Sequence, residues 1–178
     1  MAVAHRRHQA LRVIAGIVLM AAFVIIAFAV LARYAGGWGV PYFSFQTERG
    51  STCRNTLTGY RCDALTLADL EWYADVDLPD ATRINHARYV ATHDYVVDAA
   101  VEFPKASAAA GLKALQAAYG HCLPDHFTDL DTSGLTHVCV MANDAVTEGG
   151  TPSSKLFNVG TGLRKDGVRV ASLEIKSR

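Results

Sequence analysis

The stretch 121–137 (HCLPDHFTDLDTSGLTH) carries the densest set of chemically capable side chains: His121, Asp125, His126, Asp129, Asp131 and His137. Imidazole and carboxylate together form the ligand set of a divalent metal. A metal held by His121, Asp125, His126 and His137 would make the chain a metal-dependent hydrolase. Asp129-x-Asp131-x-Ser133-Gly134 also opens like a calcium-binding loop. The twelfth position of that loop is Val140, where a bidentate Glu is required. The competing reading is a solvated, turn-forming loop in which Asp and Ser serve the backbone. Half a motif assigns no metal, so the sequence implies no cofactor.

Four cysteines, Cys53, Cys62, Cys122 and Cys139, offer a second kind of chemistry. Their spacings lack the C-x2-C knuckle of structural zinc and the C-x-x-C of a redox centre. An even number in an exported domain reads as disulfides. Cys53–Cys62 and Cys122–Cys139 are the expected pairs, because each brackets a short polar loop.

A third cluster comprises Asp69, Glu71, Asp75, Asp77 and Asp80, with Trp72 and Tyr73 inside it. It could face a basic partner, or it could simply be a solvated face whose aromatic rings pack inward. An exposed aromatic pair would favour partner or sugar binding. No G-x-S-x-G elbow, H-E-x-x-H or phosphate-cradling G-x-x-x-x-G-K occurs. The expected protein is therefore not an enzyme.

These residues need a scaffold, and its expected class is α+β. Tyr95, Val97, Ala99, Val101 and Phe103 alternate along the clearest strand, Asp94 to Phe103. Residues 82–91 are its expected antiparallel partner. Pro104 suits the first turn of a helix over 105–119, with Ala108, Leu112, Leu115 and Tyr119 on the inner stripe and Gly120 as the stop. A shorter helix starts after Thr66, with Asp69 at the capping-box position. Leu135 to Met141 reads as a strand. Leu156 to Leu163 and Val168 to Ile175 read as a hairpin around Lys165-Asp166-Gly167. Gly160-Thr161-Gly162 reads as a bulge, and 144–154 as a polar loop. The expected body is a mostly antiparallel sheet of about four to six strands with one main packing helix, following the layer rule.

The amino end is different in kind. Val13 to Ala32 holds twenty residues without a charge. As a helix rising about 1.5 Å per residue it spans about 30 Å, the thickness of a bilayer core. Residues 1–33 contain four Arg and no acid, whereas 34–178 contain thirteen basic residues against seventeen acids. Arg6, Arg7 and Arg12 precede the apolar run, so its N-terminus is expected on the cytoplasmic side. Tyr34, Trp38, Tyr42 and Phe43 follow it and suit the outer headgroup layer. Ala27-Phe28-Ala29 resembles a cleavage site, but signal h-regions run about 7–15 residues, so an uncleaved anchor is preferred over a secreted soluble domain.

The expected organisation is a cytoplasmic segment 1–12, a transmembrane signal-anchor helix 13–32, a juxtamembrane hinge 33–41, and an extracytoplasmic domain 42–178. Zero formal net charge argues against nucleic acid as a partner. Arg outnumbers Lys twelve to five, which fits a GC-rich bacterial genome. The functional expectation is a non-catalytic binding module tethered at a bacterial cell envelope, with the lipid bilayer and another membrane or cell-wall component as partners.

Overall fold

A computed structural model describes residues 2–143 and 154–177, with side chains from Arg12 onward. The polar loop expected at 144–154 lies almost wholly outside the described residues. The long helix α1 (Ala2–Ala35) comes first. Its segment Arg12–Ala35 is long and apolar enough to cross a membrane.

Eight strands then form one antiparallel sheet: β1 (Ser44–Gln46), β2 (Thr52–Asn55), β3 (Tyr60–Cys62), β4 (Arg83–Ala91), β5 (Tyr95–Phe103), β6 (Thr136–Ala142), β7 (Lys155–Leu163) and β8 (Arg169–Ser177). The order across the sheet is β1-β2-β3-β4-β5-β8-β7-β6. A five-strand meander runs from β1 to β5. The chain crosses one face through α3 (Ala108–Tyr119), enters the far edge as β6, and meanders back until β8 pairs with β5. The α+β class and antiparallel sheet agree with expectation. The strand number exceeds it, because the short strands β1 to β3 join the longer ones in a single sheet of eight.

Alternation decides the core. Val97, Ala99, Val101 and Phe103 of β5 and Ala171, Leu173 and Ile175 of β8 are buried beneath the helices. α3 packs on β6 and β7, and α2 (Leu67–Ala74) packs on β4. The Tyr119 hydroxyl joins the two helices by donating to the Ala74 carbonyl at 2.6 Å. The opposite face of β4, β5 and β8 is polar and carries ion pairs such as Lys176–Glu174 at 2.6 Å.

Several local expectations need correction. α3 starts at Ala108, three residues after the expected start, because residues 104–107 form a turn with the Ser107 N–H donating to the Pro104 carbonyl. Its inner stripe includes Gly111, while Leu112 is only half-buried. Gly160-Thr161-Gly162 is not a bulge, since β7 pairs with β8 without a shift. The irregularity sits opposite, between Thr136 and Cys139 of β6, where His137 has a φ of 50°. The two glycines serve close approach instead. A Cβ on Gly160 would lie 3.1 Å from the Leu130 Cβ, and one on Gly162 would lie 2.8 Å from the Leu135 Cδ1. The 121–135 loop therefore lies directly on that part of the sheet.

The expected hinge 33–41 is tied down. The Trp38, Gly39 and Val40 N–H groups donate back to Tyr34, Gly36 and Ala35. The buried Asn55 side chain donates to the carbonyls of Gly36 (2.7 Å) and Val40 (3.2 Å). Two hydrogen bonds from one buried amide fasten the end of α1 to the sheet.

Candidate binding groove

Both expected disulfides are formed. Cys53 and Cys62 face each other directly across β2 and β3, with Cα atoms 4.2 Å apart. Cys122 and Cys139 have Cα atoms 5.0 Å apart and tie the chain after α3 to β6. There is no free cysteine among the described residues, so these thiols supply covalent ties.

The structure does not bring the 121–137 candidates together. His121, Asp125, Asp129, Asp131 and His137 are exposed, and His126 is half-buried. Among the described residues, no three His, Cys, Asp or Glu side chains gather as a metal would require. Asp131 acts locally. Its carboxylate accepts the Ser133 N–H at 3.0 Å, which holds its pKa below the usual range. Gly134 follows at a φ of 75°. This is the turn-forming role of Asp and Ser. Asp125 and His126 line a recess of about 590 Å³ together with Leu123, Phe127, Thr128 and Val138, a setting of mixed polarity.

Members of the acidic cluster play separate roles. Asp69 is 1% exposed, and its Oδ2 accepts from the Thr47 hydroxyl (2.5 Å), the Ser51 N–H (3.0 Å) and the Thr66 hydroxyl (3.2 Å). Burial alone would raise its pKa, but the hydrogen bonds from Ser51, Thr47 and Thr66 outweigh burial and lower it. Thr66 in turn caps α2 by accepting the Asp69 N–H at 3.2 Å. Glu71 accepts the Leu78 N–H at 2.9 Å. Asp75 ends α2 at a φ of 57° and lies 3.7 Å from the Lys155 ammonium.

The aromatic pair divides as well, because adjacent helix positions point about 100° apart. Tyr73 turns inward and stacks on Tyr89, with ring centroids 3.8 Å apart. It joins a row of rings on the core face formed by Phe45, Tyr60, Tyr89 and Tyr95. Burial pushes the phenols of Tyr73 and Tyr89 well above their ordinary pKa. Trp72 turns outward, is 64% exposed, and carries the Arg49 guanidinium 4.0 Å above its ring.

Trp72, Arg49, Glu71 and Asp77 wall a groove of about 640 Å³ between α2 and α3, floored by Ala114, Ala117 and Ala118. The alanines, spaced along one side of α3, leave room there. The groove offers an aromatic face, a small-residue floor and charges of both signs, which suits a side chain or short segment of a partner. The helix start at Thr66 fixes only that the two rings point in different directions, and the packing of α2 on β4 decides that Tyr73 is the one facing the core. Comparison with known protein families, curated proteins and solved structures found no match.

Proposed function

We propose that this chain is a single-pass membrane protein whose disulfide-bonded outer domain is a non-catalytic interaction module at a bacterial cell envelope. In this reading residues 13–32 cross the bilayer with the N-terminus in the cytoplasm, and 42–178 lie outside. One observation carries it. The large apolar side chains from Val13 to Leu31 are between 49% and 71% exposed, while the core of the sheet domain closes without any of them. Twenty residues of such surface are strongly disfavoured in water and favoured in lipid. The two disulfides suit an oxidising space outside the cytoplasm.

The groove beside Trp72 is the docking point of the module, and a neighbouring membrane or cell-wall component is its partner. Holding the domain near the membrane raises its effective concentration toward such a partner. The test is alkaline extraction of membranes from cells making the full chain, with thiol counting. Recovery in the pellet with all cysteines oxidised supports the reading. Soluble protein beginning near Val30 means a cleaved, secreted domain, and soluble protein with reduced thiols removes the envelope assignment. Crosslinking in intact cells then tests the groove: a captured partner should be lost on Trp72→Ala, and its retention would move docking elsewhere.

A further inference from the structure

We infer that the outer domain rests on the bilayer surface through the turn between β2 and β3, with Leu57 inserted among the lipid headgroups. This inference builds on the reading of α1 as a membrane anchor.

Leu57 is 75% exposed. It sits at the tip of Thr56-Leu57-Thr58-Gly59, a turn without a charge. The turn is closed by the Thr56 N–H donating to the Gly59 carbonyl at 2.8 Å. An uncharged turn with one apolar tip enters a headgroup layer without burying a charge.

The turn is placed beside the end of α1. β1 carries the chain away from the helix and β2 brings it back. Asn55, the last residue of β2, donates to Gly36, the first residue after α1. Leu57 is two residues beyond Asn55, at most about 7 Å of chain. The headgroup region on each side of a bilayer is about 5–8 Å deep. With the Asn55 side chain and its 2.7 Å hydrogen bond to Gly36 included, Leu57 stays within reach of the layer at which the helix ends.

The neighbouring side chains fit the same surface. Tyr34 and Trp38 stack at 6.2 Å and are 58% and 65% exposed, and Tyr42 is 64% exposed. Tyr42 also holds a φ of 69°, an unfavourable conformation for a tyrosine. It is kept there by its N–H bond to the Asn55 carbonyl (2.9 Å) and by the Arg54 Nε on its own carbonyl (3.2 Å). These bonds fix the backbone from which the exposed ring projects. Interfacial lipid is the occupant that suits amphipathic rings and a lone leucine next to a spanning helix.

The experiment uses the full chain in phosphatidylcholine vesicles, some of whose lipids carry bromine on their acyl chains. An environment-sensitive fluorophore is attached through Leu57→Cys, and in a control through Lys165→Cys in the exposed turn between β7 and β8. The expected result is several-fold stronger quenching by brominated lipid at position 57 than at 165, with blue-shifted emission at 57. Equal, weak quenching in protein that floats with the vesicles overturns the docking but leaves the anchor standing. A blue shift at 57 without quenching, growing with protein density, assigns the turn to a second copy of the chain and also overturns it. Protein that fails to float with vesicles removes the anchor and the docking together.

Discussion

Replacing Asp69 by alanine tests how the short helix beside the groove is held. Its Oδ2 serves three donors, but two have a second acceptor: the Ser51 N–H is 3.0 Å from the Thr47 hydroxyl oxygen, and the Thr66 hydroxyl is 3.0 Å from the Arg49 carbonyl. The alanine therefore loses three charge-assisted bonds: the Ser51 and Thr66 donors fall back on their neutral acceptors, and the half-buried Thr47 hydroxyl is left stranded. A stranded donor costs about 1–3 kcal/mol and a bond to a charged group contributes about 1.5–3 kcal/mol. Relief of the buried carboxylate, whose Oδ1 has no partner, offsets part of this. The net expectation is a loss of about 2 kcal/mol, read by urea unfolding of the full chain in detergent with near-UV circular dichroism. Asp69→Asn should lose less, because its carbonyl can still accept.

Because the folded-state pKa of Asp69 lies below its usual 3.8, the unfolded chain binds the proton first as pH falls. Its contribution is complete above 3.8 and disappears as pH drops through the lowered folded value. The gap between wild type and Asp69→Ala should therefore be constant near neutrality and narrow in strong acid. A gap under about 0.5 kcal/mol at neutral pH, the scale of an ordinary surface change, would refute the reasoning. So would a gap that widens on acidification.

The other predictions probe packing and chemistry. Gly111→Ala should destabilise by about 1–3 kcal/mol in a urea melt despite better helix propensity, because a Cβ there would clash with the buried Phe103 ring. Arg169 is 6% exposed, and its Nε has no partner. Arg169→Met should thus be neutral or raise the melting temperature, and a marked drop would mean the guanidinium is needed. Opening either disulfide by a double Cys→Ser change should cost about 3 kcal/mol from loop entropy, measured against the oxidised parent. Prolonged chelation should leave the melting temperature of the purified chain unchanged, and a drop restored by zinc or calcium would return the 121–137 loop to consideration.

Much of the scaffold could be read from local pattern. Alternation along 95–103 placed Val97, Ala99, Val101 and Phe103 in the core, and the Lys165-Asp166-Gly167 turn placed the final hairpin. Thr66 and Asp69 announced α2. The candidate groove was far less legible, because its walls come from Arg49, α2 and α3, which meet only after the sheet has formed. The His and Asp run of 121–137 shows the complementary case. Nearness in sequence brings side chains into one loop, whereas a metal needs them pointing at one point in space.

Residue types and spacing alone determined the long apolar helix and the antiparallel alternation, each of which depends on a local period. Spacing favoured the two cysteine pairs among three possible pairings, and the fold closed them. Tertiary structure alone decided that β8 lies between β5 and β7, that Trp72 faces out while Tyr73 faces in, and that Asn55 locks the segment after α1 to the sheet. These depend on contacts between distant parts of the chain, whose energies exist only when the core that holds them is closed.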